Sequence, residues 1–159
     1  MALVPIIMGS KSDLKIGQAV ADALGALGVK SEIRVASAHK APLYVLDILT
    51  AYEADPQPKV YVTIAGRSNA LSAFVDAAVP TPVIACPPYS DKFGGGDLYS
   101  SLRMPGGVAP MVVLDPKGAA LSAAKILALQ NPALKQRIQA AQAAAEAKIR
   151  ADDQGLQGD

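Results

Sequence analysis

The side chains best suited to chemistry lie together in one tetrapeptide, Ser37-Ala38-His39-Lys40, which contains the only histidine of the 159-residue chain. An imidazole is the group best placed to accept and return a proton near neutral pH. The neighbouring ammonium is a cation for a phosphate or a carboxylate. The tetrapeptide therefore indicates proton transfer on an anionic ligand, although by itself it also fits an ordinary surface loop.

The flanking residues predict where this tetrapeptide lies in the fold. The alternating run 32–36 is typical of a β-strand, and Pro42 stands where a proline can open a helix. In a parallel α/β sheet, strand-to-helix turns of this kind line the ligand crevice at the carboxyl ends of the strands. We therefore expect His39 to lie in such a crevice.

Three further predicted strands, 3–8, 60–64 and 82–86, run directly into small, polar or proline residues. These residues are Gly9, Ser10, Ser12 and Asp13 after the first strand, Gly66, Arg67, Ser68 and Asn69 after the third, and Cys86, Pro87 and Pro88 at the end of the fourth. Because parallel strands end at the same edge of a sheet, the four turns are predicted to converge on one crevice. The glycines in them allow the backbone to approach a ligand closely.

Positive charge is predicted to collect at this crevice. Lys40, Arg67 and Arg103 are the candidate cations, and the helices that begin behind Ser12 and Asn69 offer free backbone amides to an anion. A small phosphorylated molecule is the ligand that such a set of groups favours. Arg67 also fits a solvated charge at a helix start, so this residue alone does not identify a ligand site.

Other residues of the same turns leave alternatives open. Asp13 fits either a favourable interaction with a helix dipole or two hydrogen bonds from a sugar diol. Cys86 could act as a nucleophile with His39 as its base, but the two prolines after it offer nothing that lowers a thiol pKa, which favours a buried, inert cysteine. The glycines at 94–96, in the long connection 89–110, fit a flexible lid or a plain loop better than a phosphate cradle.

Strand and helix patterns alternate along the chain. This alternation predicts an α/β fold of three layers, α/β/α, built on a flavodoxin-like open parallel five-stranded sheet with an extra C-terminal helix. The first helix is expected to be capped by Ser12, and the second helix is expected to bury Val45, Leu46, Leu49 and Tyr52.

The last predicted helix carries an apolar stripe although no strand follows it. The stripe consists of Leu134, Ile138, Ala141, Ala145 and Ile149. It fits either a cover for the helix's own sheet or a contact with a neighbouring subunit. The polar residues 152–159 are expected to form a frayed tail, and 1–159 is expected to form one domain.

Composition excludes several classes of protein. Hydrophobic residues make up 51% of the chain and charged residues 18%, which is typical of a globular protein. A net charge of +1, scattered basic residues and few aromatics argue against a nucleic-acid-binding protein. One cysteine and one histidine exclude an internal disulfide framework and a Cys/His zinc site. No signal peptide and no membrane span are predicted, so we expect a cytoplasmic protein.

Taken together, five stretches resemble the phosphoribosylaminoimidazole carboxylase family of purine biosynthesis. These stretches are 8–13, 37–40, 65–70, 86–88 and 100–105, in family order. The lysine after the histidine and the turn Gly66-Arg67-Ser68-Asn69 resemble the second class of this family. The first class carries arginine after the histidine and a second histidine on a glycine-rich turn. One departure is Gly106, where second-class members often have serine.

The resemblance implies a reaction that needs no cofactor and no metal. Second-class members carboxylate 5-aminoimidazole ribonucleotide (AIR) at C4 with carbon dioxide, which gives 4-carboxy-5-aminoimidazole ribonucleotide (CAIR). First-class members instead rearrange N5-carboxyaminoimidazole ribonucleotide into the same product, so a mutase is the alternative within the family. A flavodoxin-like module that binds a phosphoribosyl ligand without catalysis is the alternative outside it.

The resemblance also implies roles for individual residues. It makes His39 the proton shuttle, it assigns phosphate or ribose to Ser10, Ser37 and Lys40 and the ribose hydroxyls to Asp13, and it places Gly66, Arg67, Ser68 and Asn69 around the base and carbon dioxide. Arg103 is a possible helper from the long connection. Family members are homo-octamers or homotetramers with sites near subunit boundaries, so we expect a homo-oligomer.

Overall fold

The computed structural model describes residues 2–157, apart from the side chain of Lys92. Its centre is a parallel sheet of five strands in the order β2-β1-β3-β4-β5. The strands are β1 (Leu3–Met8), β2 (Lys30–Val35), β3 (Tyr61–Ile64), β4 (Val83–Ala85) and β5 (Met111–Val112). This order places a topological switch point between β1 and β3, where open α/β sheets bind ligands.

Within residues 2–157, six helices surround the sheet. They are α1 (Leu14–Ala26), α2 (Pro42–Glu53), α3 (Ala70–Ala78), α4 (Tyr99–Leu102), α5 (Pro116–Ala128) and α6 (Pro132–Gln157). A 3₁₀ turn occupies Lys11–Asp13, and the 3₁₀ stretch Lys92–Leu98 is interrupted by residues 93–95, which have positive φ. Helices α1 and α5 cover one face with the start of α6, while α2 and α3 cover the other. The predicted three-layer, flavodoxin-like fold with a C-terminal helix is confirmed.

Strand β1 shows why this sheet is buried on both faces. Its side chains alternate, so that Ile6 and Met8 join the core under α1 and α5, whereas Leu3 and Ile7 join the core under α2 and α3. All six residues of β1 are buried, which is why the strand is a continuous apolar run rather than an alternating one.

Local signals in the sequence set several helix boundaries. Gly28, at φ +68°, follows the end of α1 in a conformation that favours glycine. Pro42 stands in the first turn of α2. Asn69 caps α3, because its side-chain oxygen accepts the backbone N–H of Ser72. Each of these residues affects only the turn in which it lies, so the helix boundary can be predicted from the neighbouring residues.

Two local predictions were wrong. The cap before α1 is Ser10 rather than Ser12, because a 3₁₀ turn precedes the helix and the Ser10 hydroxyl accepts the backbone N–H of Ser12. On α2, Leu46 is 39% exposed, and Ile48 is buried in its place. Leu46 lies about 100° round the helix from Val45, outside the arc that faces the sheet.

Helix α6 has two differently packed parts. Leu134 and Ile138 are buried in the core beneath α5, and the guanidinium of Arg137 donates to the carbonyl of Leu27 (2.7 Å). The start of α6 therefore covers its own domain. From 139 to 157 every residue is exposed, so the remaining part of the predicted stripe has no cover among residues 2–157.

The expected frayed tail is helical in the structure. Helix α6 continues to Gln157, so 152–157 are helical, while 158–159 lie outside the described residues. An alanine-rich sequence has high intrinsic helix propensity, and Arg150 pairs with Glu146 one turn earlier (2.7 Å). Within residues 2–157, no helix combines the length and the apolar character needed to cross a bilayer.

Candidate active site

A cleft of about 640 Å³ opens at the carboxyl edge of the sheet, above the switch point between β1 and β3. We call it the carboxyl-edge cleft. It is lined by Gly9, Ser10, Ser12, Asp13, Ser37, Ala38, His39, Lys40, Ala65, Gly66, Arg67, Ser68, Leu71, Pro88, Ser90 and Asp97. The four predicted turns do converge, and the predicted site residues line this cleft except for Asn69 and the expected helper Arg103.

The first turn presents a carboxylate that the fold does not use as a helix cap. Asp13 precedes α1 without making a side-chain capping bond. Burial raises the pKa of the Asp13 carboxyl, and the Ser12 hydroxyl, 3.5 Å away, opposes that shift only weakly. The Ser12 hydroxyl is already directed to Ser10 at 2.9 Å. The Asp13 carboxylate is therefore available to accept hydrogen bonds from a ligand.

The second turn raises the histidine above the sheet. The backbone N–H of Ala36 still donates to Met8 (2.9 Å), so the β1–β2 ladder holds the base of the turn. The backbone N–H of Ala41 then donates to the carbonyl of Ser37 (2.8 Å), which makes the turn tight. His39 is exposed at its top, and no described residue hydrogen-bonds its ring. The imidazole is free to exchange a proton with a ligand.

The third turn has an unusual backbone conformation. Arg67 has φ +60°, which places a non-glycine residue in the left-handed region. Its backbone N–H donates to the carboxylate of Asp97 (3.0 Å), a residue 30 positions further along the chain. Strained conformations of this kind cluster at ligand sites, where surrounding contacts hold them. The turn is therefore held by the connection between β4 and β5.

A chain of hydrogen bonds lies beneath this turn and accounts for Asn69. The Asn69 side chain is 4% exposed; its oxygen accepts from Ser72 (2.9 Å), and its amide donates to Ser101 (2.9 Å). The Ser72 hydroxyl also shares a hydrogen bond with the Thr63 hydroxyl (2.8 Å). Asn69 supports the cleft from below, and substrate contact by Asn69 stays a prediction.

The electrostatics of the carboxyl-edge cleft favour an anion. Among the described residues, neither the ammonium of Lys40 nor the guanidinium of Arg67 forms an ion pair. Unpaired cations beside backbone amides are suited to a phosphate. With the Asp13 carboxylate and the free imidazole of His39, the cleft can bind a phosphorylated sugar and move a proton. In residues 2–157, no three His, Cys, Asp or Glu side chains converge to hold a metal ion.

Cys86 does not belong to this site. Its side chain is fully buried in the core, and its thiol points at the carbonyl of Leu114 (3.7 Å). Burial raises the pKa of the Cys86 thiol to about 11. A thiol that stays protonated at neutral pH is a poor nucleophile. The predicted burial of Cys86 is confirmed, and the inertness of its thiol stays a prediction.

Several cleft residues were missed because they come from distant parts of the chain. Asp97 and Ser90 line the cleft from the long connection, which also contains the short helix α4. The only signal for them was the length of that connection. Arg103, the helper expected from the same region, is exposed and does not line the cleft; its role stays a prediction.

Comparisons with known proteins agree with this geometry. A family model described as AIR carboxylase matches residues 3–148. A phosphoribosylaminoimidazole carboxylase of Archaeoglobus fulgidus is 55% identical over 133 residues, which cover 84% of this chain and 73% of the relative. One of Treponema denticola is 48% identical over 154 residues, 97% of each chain.

A solved structure shares the whole fold. The crystal structure of Treponema denticola PurE superposes with a TM-score of 0.97 at 47% sequence identity, over 98% of this chain and 99% of that chain. The match therefore includes all five strands and the four turns that line the cleft. On the family model, the sequence identities and the shared structure, the chain belongs to the phosphoribosylaminoimidazole carboxylase family of purine biosynthesis.

Proposed function

We propose that this protein carboxylates AIR at C4 with dissolved carbon dioxide and forms CAIR without ATP, biotin or a metal ion. The observation that carries the proposal is the composition of the carboxyl-edge cleft. It places the only histidine of the chain beside an unpaired lysine and a carboxylate that caps no helix.

The chemistry needs one proton acceptor and a dry, ordered site. C4 of the aminoimidazole behaves as an enamine carbon and attacks carbon dioxide, forming a new carbon–carbon bond. The adduct carries both a hydrogen and a carboxylate on C4. His39 takes that proton, the ring regains its aromaticity, and the proton then passes to solvent. Holding the two reactants together supplies much of the rate, and the base contributes about 10²–10⁴-fold.

The other cleft residues divide into two groups in this proposal. Ser10, Ser37 and Lys40 hold the phosphate and ribose, and the Asp13 carboxylate accepts hydrogen bonds from the ribose hydroxyls. Gly66, Arg67 and Ser68 shape the pocket for the base and carbon dioxide. Asn69 acts from below, since its side chain is already engaged with Ser72 and Ser101.

Direct use of carbon dioxide is proposed because this chain lacks a second imidazole. A mutase must protonate and break a carbamate before it carboxylates C4, and the first class carries a second histidine on the turn after the third strand. Here that turn reads Gly66-Arg67-Ser68-Asn69. Its donors suit carbon dioxide or a new carboxylate rather than the release of a carbamate.

The carbon source is tested with AIR and bicarbonate, followed by ultraviolet absorbance. We expect product without ATP, and we expect carbonic anhydrase to raise the initial rate, because carbon dioxide rather than bicarbonate is consumed. Freshly made N5-carboxyaminoimidazole ribonucleotide serves as the competing substrate. Efficient conversion of that carbamate, with no response to added carbon dioxide, would make the protein a mutase. Ligand-induced stabilisation without any product would make it a binding module.

We also propose that the protein is a homo-oligomer assembled through the exposed part of α6. Residues 139–157 are not covered by any part of the chain that the structure describes, whereas Leu134 and Ile138 belong to the core of the domain. A chain ending at Gln139 keeps that core and removes only the exposed part. Light scattering should show a smaller assembly for this truncation than for the full chain. An assembly of unchanged size would count against α6.

A further inference from the structure

We call residues 66–69 the arginine turn. The connection between β4 and β5 holds this turn by hydrogen bonds from one short segment, residues 97–101. The Asp97 carboxylate accepts the backbone N–H of Arg67 (3.0 Å), and the Ser100 hydroxyl accepts the backbone N–H of Asn69 (2.9 Å). The Ser101 hydroxyl accepts the side-chain amide of Asn69 (2.9 Å). Three oxygens of one segment thus hold two residues of the turn.

Arg67 needs such a restraint. At φ +60° its Cβ crowds the backbone, so a non-glycine residue leaves this conformation unless other contacts hold it. Its amide lies at the exposed rim of the cleft, and the bond to Asp97 fixes the direction of that peptide. The same peptide sets the direction in which the Arg67 side chain leaves the backbone at a position that lines the cleft.

We propose that Asp97 is a positioning residue for the reaction. It holds Arg67 in the left-handed conformation and thereby orders the arginine turn before substrate binds. This inference rests on the proposed function for its kinetic consequence alone. Asp97 also lines the cleft, so direct contact of its carboxylate with the substrate is the competing assignment.

Amide hydrogen exchange tests the restraint without any substrate. In Asp97→Ala, peptides covering 65–70 should exchange faster than in the parent, because the Arg67 amide has lost its acceptor. Asp97→Asn keeps an oxygen acceptor and should exchange at nearly the parental rate. Asp91→Ala removes an exposed carboxylate from the same connection and serves as the matched control. Unchanged exchange in Asp97→Ala would overturn the proposal.

Kinetics test whether the restraint matters for the reaction. Asp97→Ala should lower kcat/KM about tenfold, mainly through KM, and Asp97→Asn should recover it to within about threefold of the parent. Asp91→Ala should match the parent. The contrary result is an Asp97→Asn variant that lowers kcat/KM as much as Asp97→Ala does while its amide exchange stays at the parental rate. That result would mean that the carboxylate charge contacts the substrate and that the positioning role is wrong.

A double-mutant cycle tests whether Asp97 acts through Arg67. Glycine adopts a positive φ without strain, so in an Arg67→Gly background the further change Asp97→Ala should cost less than about twofold in kcat/KM. A full tenfold loss in that background would mean that Asp97 acts elsewhere, and it would overturn the proposal. If the parent does not carboxylate AIR at all, the proposed function fails. The hydrogen-exchange experiment still shows whether Asp97 restrains the backbone of Arg67.

Discussion

The two edges of the sheet carry clefts whose polar groups differ in character. The amino-edge hollow, of about 430 Å³, lies among residues such as Pro58, Lys59 and Leu129. There the ammonium of Lys59 donates to the carbonyls of Asp55 (2.6 Å) and Gln57 (2.9 Å). In the carboxyl-edge cleft, the ammonium of Lys40 has no such partner among the described residues. Lys59 at the amino edge therefore stabilises a loop, whereas Lys40 at the carboxyl edge remains available for other contacts.

The carboxylates at the two edges differ in the same way. At the amino edge, the backbone N–H of Gln57 donates to Asp55 and lowers the pKa of that carboxyl. At the carboxyl edge, burial raises the pKa of Asp13. Polar groups at the amino edge therefore stabilise the fold, whereas at the carboxyl edge the ionised Asp13 costs stability and Lys40 has no partner among the described residues, as the proposed ligand site requires.

The largest expected effect separates catalysis from binding at the carboxyl edge. His39→Asn should lower kcat about 10²–10⁴-fold, because it removes the proton acceptor. The substrate should still bind, since the phosphate and ribose contacts remain. Steady-state rates and calorimetric binding of AIR measure the two effects separately. A kcat within a few-fold of the parent would remove His39 from the mechanism.

The next test compares the two lysines. Lys40→Ala should raise KM about tenfold, the effect of losing one charge-assisted hydrogen bond, and leave the melting temperature unchanged. Lys59→Ala should do the reverse, with an unchanged KM and a loss of about 1 kcal/mol in the free energy of unfolding. Thermal melts and initial rates of both variants make the measurement. A destabilised Lys40→Ala with parental affinity would make that lysine structural.

Substitutions of Asp13 and Asp55 should have smaller effects, and they should shift the melting temperature in opposite directions. The folded-state pKa of Asp13 is raised above 3.8, so the stability falls as the pH rises from 3.8 through the folded-state pKa, and the full cost is present above it. Asp13→Asn should therefore melt higher than the parent at pH 7 while binding AIR more weakly. This gain should disappear as the pH falls to 3.8.

Asp55 should behave in the opposite sense. Its folded-state pKa is lowered below 3.8, so its stabilising contribution is present above that pH and is lost as the pH falls further. Asp55→Asn should melt lower than the parent at pH 7 and bind AIR normally. Melting curves of both aspartate variants between pH 3 and pH 7 give the comparison. Shifts of the same sign in the two variants would remove the distinction between the edges.

The smallest effect is expected at Cys86, which follows β4 at the carboxyl edge but faces the core. Cys86→Ala should keep kcat/KM within about twofold of the parent, because a thiol that stays protonated has no catalytic task. Thiol-reactive reagents at pH 8 should label the native parent far more slowly than the unfolded chain. Strong loss of activity in Cys86→Ala, with an unchanged melting temperature, would reopen a role for the thiol.

The parts of this molecule that could be predicted from sequence are those set by neighbouring residues. Hydrophobic periodicity gave the strands, Gly28 and Pro42 gave helix ends, and the parallel sheet then brought four turns to one edge. These signals act within one turn or one strand. Convergence of the turns follows from the topology alone, so it needed no knowledge of side-chain contacts.

The rest depended on contacts between distant residues. Asp97 reaches the amide of Arg67 across 30 positions, and no local pattern marks that pair. The place of Asn69 after a strand did not indicate that its side chain hydrogen-bonds Ser72 and Ser101. The exposure of Leu46 likewise depends on which arc of α2 meets the sheet.

One measurement tests the central claim most directly, namely that His39 takes the proton from C4. AIR that carries deuterium at C4 is mixed with the parent or with His39→Asn, with and without carbon dioxide, and release of deuterium to solvent is followed against an enzyme-free blank. The parent should release deuterium in step with CAIR formation and only when carbon dioxide is present. His39→Asn should not exceed the blank. Release by His39→Asn at the parental rate would contradict the account.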